Sequence, residues 1–203
     1  MVQSPNPLFP AEQRRLDDIG GRIAALRNWL NARAEPELDA PASEWFAYLG
    51  QIKSIQGNTD NWLAFVTTMM ARDFLVRRLS VRPFDVAAKP QGASGLDIDT
   101  VTENGMRIIA EIKATVPHKG NRLGAAQVQT WRKDFDKLNR EDAAYKFFFV
   151  ADKAAFDVAR ELYGADIPGV TVVLLTTGEE FACPVPPSSA STASLPSSDQ
   201  SLA

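Results

Sequence analysis

Residues 95–113 read GLDIDTVTENGMRIIAEIK and place acids at Asp97, Asp99 and Glu111 and an ammonium at Lys113. A charged group set beside an apolar core needs an opposite charge, hydrogen bonds or a metal ion. Carboxylate oxygens suit a hard cation such as Mg²⁺. The chemistry on offer is therefore oxygen ligation of a divalent ion with a fixed positive charge next to it.

Two strands must position these groups. Residues 96–102 alternate apolar and polar, residues 106–113 are rich in isoleucine, and Asn104-Gly105 lies between as a turn signal. Period two puts Glu111 and Lys113 on one face of the second strand, with Ile108, Ala110 and Ile112 on the other. On the first strand Asp97 and Asp99 share a face, and Leu96 and Ile98 share the opposite one. The turn length then decides everything. A two-residue turn pairs Asp97 with Ile112 and sends Asp97 and Glu111 to opposite faces. A three-residue turn, Glu103-Asn104-Gly105, sets Asp97 across from Glu111 and puts a residue in the left-handed region, where Gly is favoured. The expectation is the second case, with Gly105 at positive φ.

An Asp on one strand followed by Glu-x-Lys on the next resembles the PD-(D/E)XK nuclease superfamily, the restriction-endonuclease-like fold. Asp97 and Glu111-Ile112-Lys113 carry the resemblance; Leu96 stands where the literal motif has Pro. Glu-x-Lys alone occurs by chance about once in a few hundred residues, given ordinary charged content. A strand-end salt bridge is the bland alternative. The resemblance implies that Asp97, Glu111 and the Ile112 backbone carbonyl hold Mg²⁺, with Mn²⁺ as a substitute. It further implies that Lys113 orients the attacking water or stabilises charge on the phosphate. Asp99 is the rival for the acid position. Gln127, with Trp131 one turn on, is similar to the Gln-x-x-x-Tyr element of RecB-type relatives, with Trp replacing Tyr.

The implied fold is α/β: a restriction-endonuclease-like αβββαβ core, with a mixed central sheet flanked by helices and an N-terminal helical extension. The elements along the chain agree in order. Residues 10–33 read as a helix with a heptad seam at Leu16, Ile19, Ile23, Leu26 and Leu30. Packing on its own domain is the favoured use of that seam, and a homodimer contact is the alternative. Residues 43–55 form a second helix with Trp45, Phe46, Leu49 and Ile52 on one face. A third, capped by Asn58 or Thr59, runs to about Leu79 and is central. Residues 82–88 read as a first strand. After the hairpin come a helix over 125–138, a strand over 146–150, a helix over 154–163 and a strand over 170–175. The expected division is an N-terminal extension over 1–57, a nuclease-like domain over 58–183 and a disordered Ser/Pro-rich tail over 184–203.

Composition narrows the function. The chain has 203 residues and a net charge of −3, so bulk basicity does not draw it to DNA. Residues 113–140 nevertheless carry seven Lys or Arg against two acids. A basic segment beside an acidic site suits a phosphodiester substrate. Lys119, Arg122, Gln127 and Lys133 are the candidate nucleic-acid contacts. The last 20 residues hold seven Ser and four Pro and no Lys, Arg or Glu, too little to order a core. One cysteine, Cys183, excludes an internal disulfide and suggests a reducing compartment. The N-terminus lacks a basic region followed by an apolar one, and no apolar run reaches membrane-span length. A cytoplasmic protein is expected. The only histidine is His118, zinc ligands are lacking, and neither a nucleophile elbow nor a phosphate-binding glycine loop is present. The expected function is a Mg²⁺-dependent endonuclease acting on DNA, of restriction or defence type. Alternatives are a non-catalytic nucleic-acid-binding or scaffold protein on the same fold, a structure-selective resolvase, or an RNA nuclease.

Overall fold

The computed structural model describes residues 7–89, 93–117 and 122–185. Helices α1 (Pro10–Ala32), α2 (Ala42–Gln56) and α3 (Thr59–Leu79) lead the chain. The hairpin β1 (Ile98–Val101) and β2 (Arg107–Lys113) follows. Then come α4 (Ala125–Arg140), β3 (Tyr145–Val150), α5 (Lys153–Leu162), a short 3₁₀ turn, β4 (Thr171–Leu174) and β5 (Glu179–Ala182). The chain is thus an α/β protein: N-terminal helices, then a five-stranded mixed sheet with helices between strands. The strands lie in sequence order. β1–β2 and β4–β5 are antiparallel, while β2, β3 and β4 run parallel. Parallel neighbours need a crossover, which α4 and α5 supply.

Both faces of the sheet are covered, so the central strands are apolar on both sides. Ile109, Phe148, Val172 and Leu174 pack with Trp131, Phe135 and Leu138 of α4 and Phe156 of α5. Ile108, Ala110, Phe147, Phe149 and Val173 pack with Ala71, Phe74 and Leu75 of α3. Helix starts follow from caps: the Asn58 side chain accepts from Asn61 N at 3.2 Å, and Asp152 Oδ1 accepts from Ala155 N at 3.0 Å.

The hairpin has the three-residue turn. Gly105 has φ +79°, its N–H donates to the Thr102 carbonyl, and Thr102 N donates to Met106 O. Ile98 pairs with Ala110 and Asp99 with Ile109, which sets Asp97 across from Glu111. Leu96 departs from the expected face. It lies before β1, outside the strand's alternation, and packs with the α4-side core rather than beside Ile98.

One further expectation needs correction. No strand covers residues 82–88; only Val81 bridges to Thr102. Pro83 has no N–H to give a ladder. Val86 N instead donates to Glu12 Oε1, and Ala87 N to Asp85 Oδ1 within a turn. β5 lies outside the expected elements: its sequence EEFA is short and half acidic, and its ladder with β4 holds it as an edge. The apolar face of α2 is only partly covered: Trp45 and Ile52 are half-buried, Tyr48 meets Trp29 of α1 at 4.8 Å, and Phe46 and Leu49 are exposed. None of its side chains is buried, and Phe46 is 81% exposed.

A buried ion pair ties α1 to α3. Arg72 and Glu12 are both fully buried, with Nη1 2.6 Å from Glu12 Oε1. The other Glu12 oxygen accepts from Phe9 N at 3.2 Å, at the start of α1. Along the rest of α1 the expected seam is only partly used. Leu16, Ile19 and Leu26 are half-buried, while Ile23 and Leu30 stay exposed. The 186–203 part of the expected tail lies outside the described residues.

Candidate active site

The site stands where β2 leaves the hairpin and passes under α4. β1 begins at Ile98, so the first-strand side of Ile112 has no ladder partner. Asp97 fills that gap: its Oδ2 accepts from Ile112 N at 2.8 Å. The Lys113 carbonyl accepts from Ala151 N on the β3 side. Carbonyls alternate sides along a strand, so that of Ile112 points to the β1 side, beyond the last rung. Asp97, Glu111 and the Ile112 carbonyl are therefore neighbours at this end of the hairpin.

Glu111 is the most constrained of these groups. It is 1% exposed, and its Oε1 accepts from Lys137 Nζ at 2.9 Å. Burial, and after it the charge of Asp97, push its carboxyl up to about 8 against the opposing Lys137 bond. Asp97 stands across the hairpin from Glu111, with its carboxylate held on the neighbouring Ile112 N. Two neighbouring carboxyl groups, one of them buried, favour a shared proton or a cation.

Lys113 shares the Glu111 face and reaches Asp134 of α4, with Nζ 2.5 Å from Asp134 Oδ2. Lys137 joins the other side of that carboxylate, 3.0 Å from Oδ1, and also donates to the Gly95 carbonyl at 3.2 Å. Burial alone would lower the Lys137 ammonium, but its bonds to Glu111 and Asp134 hold it above its ordinary value. The charges form a chain: Lys113, Asp134, Lys137, Glu111, Asp97. Signs alternate along it until the last step, where two acids meet. That step is where an added cation would complete the pattern, and it is lined by the oxygens named above. The donor set is all oxygen, as Mg²⁺ or Mn²⁺ requires. Among the described residues no group of three or more His, Cys, Asp or Glu forms a closed metal cage. The fit is to an open site with two carboxylates and a carbonyl.

Asp99 is elsewhere. Arg107 grips it with both ends of its guanidinium, Nη2–Oδ2 2.7 Å and Nε–Oδ1 3.0 Å, at the exposed edge of the hairpin. The hydrogen bond to Arg107 holds the Asp99 carboxyl below its ordinary value. Asp97, not Asp99, is thus the acid brought to Glu111.

The candidate nucleic-acid contacts separate. Arg122 and Lys133 are exposed near and along α4. Lys119 lies outside the described residues. Gln127 is used within the fold: its Oε1 accepts from Gly124 N at 3.0 Å and its Nε2 donates to Val116 O at 2.9 Å. It fastens the loop after β2 to the start of α4. Trp131 is core, edge-on to Phe148 at 5.0 Å. A groove of about 420 Å³ opens next to Lys113, lined by Asp60, Asn61, Thr115, Gln127 and Thr130 among others. The N-termini of α3 and α4 both border it, and helix N-termini favour anions. A larger hollow of about 780 Å³ between α1 and α2, lined by Trp29, Arg33, Glu44 and Tyr48, lies apart from these acids and lysines.

Sequence reasoning missed Asp134 and Lys137 as members of the site. A signal was present. Trp131, Asp134, Phe135 and Leu138 make one helical stripe, and an acid inside a buried apolar stripe calls for a partner. No family model, curated protein or solved structure matches the chain.

Proposed function

We propose that the chain is a Mg²⁺-dependent endonuclease that hydrolyses DNA phosphodiester bonds, of restriction or defence type and cytoplasmic, on a restriction-endonuclease-like core. The observation that carries this reading is the hairpin register, which sets Asp97 across from Glu111 with the Asp97 carboxylate on Ile112 N, and with Lys113 on the same strand face as Glu111. The order hairpin, α4, β3, α5, β4 supports it, with the expected first strand reduced to the Val81–Thr102 bridge. Asp97, Glu111 and the Ile112 carbonyl would hold the metal. Bound there, Mg²⁺ would polarise the phosphate and acidify a coordinated water. Lys113 sets a positive charge at the mouth of the neighbouring groove, where it orients the water or stabilises charge on the phosphate. Arg122 and Lys133 would contact the nucleic-acid backbone.

Incubation with plasmid and Mg²⁺ or Mn²⁺, followed by sequencing of product ends, tests the proposal. Cleavage abolished by Asp97→Asn is the expected result. A protein that cuts neither DNA nor RNA and takes up no Mn²⁺ would end this reading.

A second reading has its own support. Lys113 and Lys137 already neutralise Asp134 and Glu111. A non-catalytic nucleic-acid-binding or scaffold protein would keep such a self-balanced cluster for stability alone. It would bind DNA or a partner with no dependence on Mn²⁺.

A further inference from the structure

Lysine carries its charge on a flexible four-carbon stem, and fixing that stem costs rotamer entropy. A lysine that must meet a reacting phosphate at one place therefore needs a holder. In this chain the holder comes from another element. Asp134 is 5% exposed on the inward side of α4, and its Oδ2 stands 2.5 Å from Lys113 Nζ. Its own position is over-determined. Trp131 and Phe135, on the same stripe, pack edge-on to Phe148 at 5.0 Å each and fix the rotation of α4. The second oxygen of Asp134 is anchored by Lys137, which also holds Glu111. One carboxylate thus sets the spacing between the strand lysine and the strand glutamate.

We propose that Asp134 is a positioning residue that holds the Lys113 ammonium at the phosphate site, with Lys137 bracing it against Glu111. The inference rests on the nuclease reading above. It extends the strand motif Glu111-x-Lys113 by a helical one, Asp134-x-x-Lys137, so that the working unit comprises four side chains from two elements.

The test uses the full chain and the variants Asp134→Asn, Asp134→Glu and Lys113→Ala. Asn keeps the shape of Asp134 and removes its charge. Partners that orient a reacting group typically contribute 10–100-fold in activity or metal affinity. The expected result for Asp134→Asn is a roughly 10–100-fold slower cleavage at saturating Mg²⁺, with KM for plasmid and affinity for Mn²⁺ unchanged. Asp134→Glu should restore part of the rate. Labelling with acetic anhydride, read by mass spectrometry, should modify Lys113 faster in Asp134→Asn than in the parent. Melting temperatures of all variants normalise the rates to folded protein. A variant Asp134→Asn that cuts as fast as the parent per folded molecule, or that leaves Lys113 labelling unaltered, overturns the proposal while the nuclease reading stands. A parent protein that cuts nothing removes both together.

Discussion

Replacing Glu111 by Gln should make the protein more stable relative to the parent as the pH rises, and the size of the effect follows from burial. The Glu111 carboxyl titrates at an ordinary 4.5 in the unfolded chain and at about 8 in the fold. Between those values the folded protein holds one proton that the unfolded chain has released. The folded value is raised, so the stabilising contribution is complete below 4.5, declines through the interval and is gone above about 8. The slope for one proton is about 1.4 kcal/mol per pH unit. Gln has the same shape and no charge at any pH, so its variant lacks this slope. From pH 5.5 to 7.5 the variant should gain roughly 3 kcal/mol on the parent. For a domain of this size that is about 6–12 °C of relative melting temperature. The loss of charge in the Lys137 bond adds a constant offset, so the quantity to read is the change in the gap. Melting curves of both proteins at half-unit steps from pH 5 to 9, without divalent ions, supply it. Asp97→Asn should end the parent's decline at a lower pH, because the Asp97 charge is the second cause of the raised value. Parallel curves for parent and Glu111→Gln would show that Glu111 is ionised in the fold and would refute the reasoning.

Other perturbations give sharp outcomes. Lys113→Ala should lower the plasmid cleavage rate by about two to three powers of ten while leaving DNA affinity nearly unchanged; equal cutting by the variant would discard the role given to Lys113. Glu111→Ala should also stop cleavage, but by loss of metal affinity, so that excess Mn²⁺ restores part of the rate only in this variant. Asp99→Asn removes half of an exposed ion pair with Arg107 and should cost under about 1 kcal/mol with cleavage retained; an inactive, well-folded Asp99→Asn would move the essential acid from Asp97. Glu12→Ala leaves the buried Arg72 charge with Asp73 as its remaining carboxylate and should cost about 3–5 kcal/mol in denaturant unfolding, whereas Glu12→Leu combined with Arg72→Met should recover most of it. A double variant no better than Glu12→Ala would contradict that account of the pair.

What could be read from the chain followed its periodicities. The hairpin register was legible because the face of Asp97 depends on one integer, the turn length, and Gly105 favours the three-residue answer. Helices α3 and α4 and strands β3 and β4 were legible from apolar stripes and runs, with bounds within two residues of those observed. The failures share a cause. Residues 82–88 have strand-like composition, but their backbone groups are taken by Glu12 and Asp85, which no local pattern reveals. The α2 stripe Trp45, Phe46, Leu49 and Ile52 has helical spacing, yet periodicity states that a face is apolar and not what covers it. Asp134 and Lys137 were read as part of a basic surface run because charge counting ignores which side of the helix each residue takes. Their place becomes visible only once Trp131, Phe135 and Leu138 define the inward side.

Glu12 and Arg72 lie 60 positions apart and share one hydrogen-bonded, wholly buried contact. In the history of such a chain the two codons behave as a single inherited unit. A change at either alone passes through a protein whose interior charge has lost its fully buried partner, so substitutions should appear together or not at all. Glu12 looks like any helical surface glutamate in its own segment, and only its co-variation with a distant arginine would mark it out. In an alignment of related chains this pair should stand among the most strongly coupled columns, and a lineage that shed the N-terminal helix should have replaced Arg72 by an apolar residue.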